Sequence, residues 1–243
     1  MHWSRCVRSF DGLQTSEAFK EYSLQVYEKN SEVSGTWFEN RYPGCACDVP
    51  AHNYPWSFEP RPDWSAVYAG SNKIYAYLND FVQKCRLSKF VKTQHGFAGA
   101  TWNKEKGGYD LRVQNLVSGE SVSDHCGILV NASGILNNWK WPVIPGIDRH
   151  KGTLLHTANW DDSVDLHDRH VGLIGNGSSS IQILPAIQPH IKKLTTFIRE
   201  PTWLSPVQGL EQHVYSEDET PNFVTKPHTL LDYCKNIKRS LNG

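Results

Sequence analysis

A glycine-rich turn between an apolar strand and a helix is the feature that most constrains the fold of this chain. The apolar stretch Val171–Ile174 precedes the sequence Gly-Asn-Gly-Ser-Ser-Ser at 175–180. A helix is predicted from about residue 178 to 187, and Leu194–Ile198 reads as the next strand. A strand, a glycine turn, a helix and a second strand predict a βαβ unit of the dinucleotide-binding type.

Each small residue of this turn has a physical reason in such a site. Gly175 permits the tight turn, and Gly177 lets the backbone approach a pyrophosphate without a Cβ between them. Ser180 takes the third position, where the helix packs closely and a small residue is enough. The free N–H groups of the helix N-terminus then face the phosphates. A glycine turn without a ligand is the alternative interpretation.

The residue after the second strand of the unit indicates which dinucleotide would bind. An NAD site usually places an acid there, about 20 residues after the turn, to hold the ribose 2′-hydroxyl. This chain has Arg199, followed by Glu200. A guanidinium suits a 2′-phosphate through paired hydrogen bonds, so the sequence favours NADPH over NADH. The alternative is a solvated surface arginine.

Glu28 follows a short predicted strand, residues 24–27, and resembles the acid that holds a ribose in a first dinucleotide site. The argument is incomplete, because no glycine-rich turn stands before it and Gly12 is the only earlier glycine. Taken alone, an acid at this position is more often an exposed residue at the end of a strand.

The rest of the chain predicts mixed α/β structure. Residues 13–22 are predicted to form a short helix, and Ser71–Arg86 has apolar residues at helical spacing. Three short strands, at about 89–97, 109–116 and 121–130, predict a small antiparallel meander. The apolar run Cys126–Gly134 is predicted to be a buried parallel strand with a ligand near its end. The tail after Arg199 reads as irregular, with a helix over Tyr233–Leu241.

Residues 30–70 predict an ordered loop that is rich in Gly, Pro and aromatic residues. A loop of this length in a compact protein is usually functional or disordered, and its aromatic content argues against disorder. Large rings are costly to leave in water. The aromatic residues therefore either form a core or pack on something flat.

Composition excludes several classes of function. The chain has 243 residues with 25 basic and 25 acidic side chains, so it has no general attraction for nucleic acid or anionic membranes. No apolar run approaches the ~20 residues that cross a bilayer, and no signal peptide is evident. The six scattered cysteines favour reduced thiols in the cytoplasm. Cys45 and Cys47 lack partners at metal-ligand spacing, so no metal site is predicted.

These residues resemble the Baeyer–Villiger and related flavin-dependent monooxygenases, and look most like their fungal members. The resemblance runs from about Leu24 to the end of the chain. It is carried by five stretches besides the glycine turn: Tyr27–Asn30, Gly35–Gly44, Cys47–Tyr54, Asn131–Gly134 and His150–Asp161. The last is similar to the family's fingerprint FxGxxxHxxxW, with His150 in place of the leading Phe.

The resemblance implies α/β structure with two Rossmann-like dinucleotide-binding domains, one for FAD and one for NADP, and a small β-meander. The partial FAD domain with the meander would cover residues 1–150, and the partial NADP domain 151–243. The implied cofactor-binding residues are Glu28, Gly35, Thr36, Trp37, Asp48 and Tyr54 for FAD, and Gly175, Gly177, Ser178, Ser180, Gln182 and Arg199 for NADPH. Asp48 and His156 are the candidate catalytic residues. Asp48 is expected to lie beside the flavin, in a buried pair with a catalytic arginine that the family supplies from the region after the end of this chain.

The implied activity is an FAD- and NADPH-dependent monooxygenation. One oxygen atom of O₂ would enter a ketone or oxygenate a related organic substrate, in secondary-metabolite biosynthesis. The family's first glycine loop has no counterpart here, and the chain ends inside the NADP domain, so both domains are expected to be incomplete. Two alternatives stay open. One is an inactive remnant that binds NADPH at most, and the other is an interaction protein that pairs with another chain.

Overall fold

The computed structural model of the chain describes residues 22–135, 138–203, 209–216 and 219–242. It forms two compact units. The first contains the described residues up to Phe38 and those from Tyr75 to Asn138, and the second contains Glu39–Ile74 and the described residues from Trp139 onward. The short helix predicted over residues 13–22 lies outside the described residues apart from Tyr22. The predicted division into FAD and NADP domains stays a prediction.

The first unit is built on two small sheets. Strands β1 (Val26–Tyr27) and β2 (Val91–Lys92) pair in parallel. Strands β3 (His95–Asn103), β4 (Gly108–Asn115) and β5 (Ser121–Cys126) form the antiparallel meander that the sequence predicts. The Tyr27 hydroxyl donates a hydrogen bond to Asp124 at 2.5 Å, which ties β1 to β5. Burial raises the pKa of Tyr27 to about 12, so this hydroxyl keeps its proton.

Helix α2 (Ser71–Lys84) follows the short helix α1 (Thr36–Glu39) in the sequence, and its predicted apolar face is confirmed. Its side chains at helical spacing are buried, namely Ile74, Tyr77, Leu78, Phe81 and Val82. The helix ends two residues earlier than predicted because Arg86 adopts a left-handed backbone, with φ of 52°. A 3₁₀ turn, Leu87–Phe90, then leads into β2.

The prediction of a buried parallel strand over Cys126–Gly134 is wrong. Strand β5 ends at Cys126, which pairs with Tyr109 near the start of β4. Beyond that pair β4 offers almost no further backbone to bond with, and residues 127–135 form no strand. Ile128 and Val130 are 69% and 62% exposed. Apolar composition therefore predicted burial at a place where the register of the meander runs out.

The second unit contains the predicted βαβ arrangement. Strand β6 (His170–Ile174), helix α3 (Ser178–Ile187) and strand β7 (Lys193–Phe197) follow in order, and β6 pairs with β7 in parallel. Ile183 and Ile187 on α3 are buried. Short 3₁₀ turns are present at Ala51–Asn53, Ile147–Arg149 and Gln188–His190. None of the described helices is long and apolar enough to span a bilayer.

The C-terminal part of this unit is more helical than predicted. Helix α4 (Glu219–Thr225) was not anticipated, and helix α5 (Pro227–Asn242) begins six residues before the predicted helix. Proline occupies the first turn of α4 and the first position of α5. Such positions tolerate proline because the first N–H groups of a helix have no partner within it. The prolines here mark helix starts, whereas the sequence predicted an irregular tail.

The loop over residues 30–70 is ordered, as predicted, and its aromatic residues contribute to a core. Tyr42, Trp56 and Trp64 are all buried within the second unit, and Trp64 is only 2% exposed. The protein itself therefore covers these three rings. The resemblance implied instead that this loop packs on a flat cofactor, whereas the structure shows these three rings buried in a core.

Candidate functional site

The glycine turn has the geometry that a phosphate-binding turn requires. Gly175 has φ of 104°, a value that residues with a side chain rarely adopt, and its N–H donates to the carbonyl of Phe197 at 2.9 Å. A Cβ added to Gly177 would meet no protein atom within 4 Å. Protein packing therefore does not demand glycine at 177, whereas the close approach of a ligand would. The turn fits a pyrophosphate at the start of α3.

The N-terminus of α3 supplies the donors for such a ligand. Gly177 is the N-cap residue of the helix, in extended conformation, and Ser178 is its first residue. The N–H groups of a first helical turn have no partner within the helix and carry partial positive charge. Ser180 approaches the position of a Cβ on Gly175, with its Oγ at 3.6 Å. This proximity matches the expected role of a small residue at the third position.

The segment after β7 is held against the turn by hydrogen bonds of Asn176, the residue between the two glycines. The Asn176 side-chain amide donates to the carbonyl of Glu200 at 2.7 Å, and the Thr202 hydroxyl donates to the Asn176 carbonyl at 3.0 Å. A cavity of about 440 Å³ lies here, lined by Arg199 among others. Arg199 therefore lies beside the glycine turn, where the sequence predicts the arginine for a 2′-phosphate.

Gln182 is placed differently from the other predicted NADPH residues. Its side-chain oxygen accepts a hydrogen bond from the Tyr42 hydroxyl at 2.7 Å, and its amide nitrogen donates to the Ala46 carbonyl at 2.9 Å. These contacts attach the loop at 42–46 to α3. A contact between Gln182 and the pyrophosphate stays a prediction, and the observed bonds give this side chain a structural role that the sequence did not reveal.

Gly44 belongs to the same attachment. Its φ is 80°, and an added Cβ would lie 2.5 Å from the Gln182 carbonyl oxygen and 3.0 Å from the Ala186 Cβ. The loop thus crosses the backbone of α3 so closely that only glycine fits. The resemblance predicted this glycine as part of the FAD-binding stretch, and the structure adds a packing reason for it.

Glu28 lies at the end of β1, as the sequence predicts for an acid that holds a ribose. It is buried, with 8% of its surface exposed. One carboxylate oxygen accepts the N–H of Asn30 at 2.9 Å, and the Glu28 N–H donates to the Lys92 carbonyl on β2 at 3.0 Å. The burial disfavours the simple alternative of an exposed acid, and a site at a strand end suits ribose hydroxyls.

Gly35, Thr36 and Trp37 lie at the start of helix α1 in the first unit. Gly35 has φ of 50°, and the preceding Ser34 has φ of 92°. A left-handed serine is strained, and the hydrogen bond from the Asn79 side chain to the Ser34 hydroxyl at 3.0 Å helps to hold it. Strain of this kind is concentrated at binding sites. The position of Gly35, Thr36 and Trp37 in this strained turn is compatible with a binding site. Their contact with a flavin stays a prediction.

Asp48 and Tyr54 lie in the second unit, on either side of the 3₁₀ turn Ala51–Asn53. Tyr54 is half-buried and closes that turn through its N–H, which donates to the Ala51 carbonyl at 3.1 Å. Asp48 is exposed, and the described residues place no arginine in an ion pair with it. The loop at 47–49 leaves the Asp48 carboxylate exposed, and its position beside a flavin with a catalytic arginine stays a prediction.

His156 lies in a cluster of rings that the sequence analysis missed. It stacks on Trp139 with 4.8 Å between ring centroids, and the edge of Trp141 meets it at 5.7 Å. Its Nδ1 accepts the N–H of Ala158 at 3.1 Å, so Nδ1 carries no proton. Burial lowers the pKa of His156, which keeps the ring neutral at pH 7. Its catalytic role stays a prediction.

His150 occupies the leading position of the fingerprint and is exposed. Its ring covers Gly152, where an added Cβ would lie 2.6 Å from the His150 Nε2. The side chain at this position therefore does not fill a core in this structure. A polar ring in place of phenylalanine costs little there.

A second ring cluster surrounds His52, which is buried. Its Nε2 donates to the Pro62 carbonyl at 3.2 Å, and its Nδ1 accepts from the Tyr215 hydroxyl at 3.3 Å. The Tyr215 and Tyr233 hydroxyls lie 2.9 Å apart. Because Tyr233 lies on α5, Tyr215 links that helix to the loop that contains His52. Burial lowers the pKa of His52. The pairing of such distant residues left no signal in the sequence.

Comparison with known proteins identifies relatives along most of the chain. The family of NAD(P)-binding Rossmann-like domains matches residues 12–70. The FAD-binding monooxygenase tazF of Aspergillus terreus is 36% identical over 227 residues, which are 90% of this chain and 40% of that protein. The FAD-binding monooxygenase stcW of Emericella nidulans is 39% identical over 228 residues, 90% of this chain and 38% of that protein.

A Baeyer–Villiger monooxygenase of Streptomyces coelicolor is 39% identical over 74% of this chain and 34% of its own length. Among solved structures, cyclohexanone monooxygenase from Rhodococcus sp. Phi1 bound to NADP⁺ superposes with a TM-score of 0.77 and 25% identity, over 91% of this chain and 41% of that one. An oxidised steroid monooxygenase bound to NADP gives a TM-score of 0.72 at 30% identity, over 88% and 42%. The chain spans about two fifths of the length of the first two curated relatives.

Proposed function

We propose that this chain acts in an FAD- and NADPH-dependent monooxygenation. It is a homologue of FAD-binding monooxygenases along nine tenths of its length and of a Baeyer–Villiger monooxygenase along 74% of it. The reaction inserts one oxygen atom of O₂ into a ketone or oxygenates a related organic substrate. Secondary-metabolite biosynthesis is part of the same proposal and is supported by the likeness to the Aspergillus terreus and Emericella nidulans proteins.

The observation that carries the proposal is the joined arrangement of the glycine turn and the segment that contains Arg199. The left-handed Gly175, the open space at Gly177 and the N-terminus of α3 suit a pyrophosphate. The bonds of Asn176 hold Arg199 beside them, where a guanidinium would bind a 2′-phosphate. These residues bind and orient the nucleotide, and the hydride that NADPH supplies is the chemistry of the cofactor.

For FAD, the proposal assigns Glu28 to the ribose and Gly35, Thr36, Trp37, Asp48 and Tyr54 to the flavin. The buried carboxylate of Glu28 at a strand end supports the first assignment, and the left-handed turn at Ser34–Gly35 supports the position of the next residues. Bound FAD would supply the activation of O₂. The residues of this chain would hold it and exclude water around it.

Cytoplasmic location is the last part of the proposal. The described cysteines Cys45, Cys47, Cys126 and Cys234 are free thiols. Free thiols are typical of a reducing compartment.

A second candidate function is a nucleotide-binding protein that does not oxygenate. The exposed position of the Asp48 carboxylate favours this alternative. It would bind NADPH at the glycine turn and leave O₂ unused.

The test supplies the purified chain with FAD, NADPH, ¹⁸O₂ and a panel of cyclic and aromatic ketones. The proposal expects NADPH oxidation that depends on FAD and a product that carries one ¹⁸O atom, detected by mass spectrometry. NADP⁺ binding without any labelled product would support the second candidate instead. A Gly175→Val variant serves as the control, because it blocks the turn and should abolish NADPH oxidation.

A further inference from the structure

The cavity beside the glycine turn is lined by two adjacent residues of opposite charge. Arg199 and Glu200 both line it, together with Asn176 and Thr202. From the sequence, only the arginine has a predicted role, in binding the 2′-phosphate. The acid next to it has a separate chemistry toward a nucleotide, because the carboxylate repels a phosphate and accepts hydrogen bonds from ribose hydroxyls.

The backbone of Glu200 is fixed against the turn. Its carbonyl accepts the side-chain amide of Asn176 at 2.7 Å, and Thr202 closes the pair by donating to the Asn176 carbonyl at 3.0 Å. The Gly175 N–H bonds to the Phe197 carbonyl at the end of β7. Asn176 lies between the two glycines, and Arg199 and Glu200 both line the cavity beside it. A nucleotide bound at the turn would therefore lie near both residues.

We propose that Glu200 is a specificity-determining residue that offsets part of the preference of Arg199 for a phosphorylated ribose. The site then accepts NAD(H) as well as NADP(H), with only a modest preference for the latter. The inference rests on the proposed NADPH site and adds to it. A carboxylate beside a ribose favours the free 2′-hydroxyl, and the same carboxylate beside a 2′-phosphate costs electrostatic energy.

The experiment measures Kd for NADP⁺ and for NAD⁺ by isothermal titration calorimetry with the purified full chain. The Glu200→Gln variant keeps the size of the side chain and removes its charge. The preference for NADP⁺ over NAD⁺ should rise by about threefold to tenfold, since both charges are exposed and partly screened. The matched control is Glu105→Gln in the exposed turn between β3 and β4, which should leave the ratio unchanged.

A salt series separates a charge effect from a change of shape. The gain in the Glu200→Gln variant should shrink at high ionic strength, because exposed charges are screened within about 3 Å at 1 M salt. An unchanged preference for NADP⁺ over NAD⁺ in Glu200→Gln would overturn this inference. The proposed function would still stand in that case if the unaltered chain binds NADP⁺. If the unaltered chain binds neither nucleotide, both the inference and the NADPH site are overturned.

Discussion

The residues assigned to NADPH and those assigned to FAD differ in how the fold brings them together. The NADPH residues come from one continuous stretch, from β6 through α3 to the segment after β7, inside the second unit. The FAD residues are divided, with Glu28, Gly35, Thr36 and Trp37 in the first unit and Asp48 and Tyr54 in the second. Residues on consecutive elements can be predicted as a group from the sequence, whereas residues in separate units share no local pattern that groups them.

The contact between Gly44 and α3 is the strongest test of this comparison, because it places a residue of the stretch assigned to FAD against the helix assigned to NADPH. Gly44→Ala should lower the free energy of unfolding by about 3 kcal/mol, since a Cβ would overlap the Gln182 carbonyl oxygen and the backbone is left-handed. Urea titration followed by circular dichroism measures the loss.

Gly209→Ala is the matched control for that measurement. Gly209 has φ of 78°, close to the 80° of Gly44, but an added Cβ meets nothing within 4 Å. The control should therefore lose only about 1 kcal/mol from backbone strain. Equal losses in the two variants would show that the close approach to α3 does not matter.

Arg199 gives the second prediction and concerns the continuous site alone. Arg199→Gln should raise Kd for NADP⁺ by about tenfold to a hundredfold and change Kd for NAD⁺ by less than about twofold, because only NADP⁺ has the 2′-phosphate. Arg199→Lys should fall between the two, since an ammonium keeps the charge and loses the paired geometry. Equal weakening of both nucleotides would place the arginine elsewhere on the ligand.

The sequence predicted the local features of the molecule well. The glycine turn, α3, the parallel pairing of β6 with β7 and the meander are each defined by a short pattern of apolar and small residues, and all were confirmed. The run Cys126–Gly134 was predicted as a buried strand because its composition is apolar, but pairing depends on a neighbouring strand. Composition alone cannot tell whether such a neighbour is present.

The long-range contacts could not be predicted. Tyr42 meets Gln182, and His52 meets Tyr215, at separations of 140 and 163 residues. A hydrogen bond across such a distance has no periodicity to reveal it. The role of Gln182 in attaching the loop at 42–46 therefore emerged only from the structure.

The third prediction concerns the pH dependence of stability that His52 gives to the second unit. Burial lowers its pKa in the folded chain, so folding favours the neutral ring. Its contribution to stability is therefore present above its unfolded pKa of about 6.5 and is lost as the pH falls through the folded value. The loss is at most about 1.4 kcal/mol per pH unit for one histidine.

Urea titrations at several pH values between about 7.5 and 5 test this pH dependence. His52→Gln should flatten the decline relative to the unaltered chain, whereas His228→Gln, at an exposed position, should leave it unchanged. A decline that is just as steep in His52→Gln would assign the pH dependence to other groups.

The smallest effect is expected for the hydrogen bond between Tyr42 and Gln182. Tyr42→Phe should cost about 1 kcal/mol, because the hydroxyl is lost while the ring keeps its packing. A double-mutant cycle with Gln182→Ala isolates the pair, and a coupling energy near zero would argue against the bond. A measurable coupling would show that the stretch assigned to FAD and the helix assigned to NADPH stabilise each other.

The proposed function requires that this chain binds FAD and NADPH so that NADPH reduces the flavin. The most direct measurement adds NADPH without oxygen to the purified chain reconstituted with FAD and records the visible spectrum. We expect NADPH to remove the absorbance of oxidised flavin, and we expect this absorbance to return when oxygen is admitted. A chain that retains no flavin, or bound flavin that stays oxidised in the presence of NADPH, would contradict it.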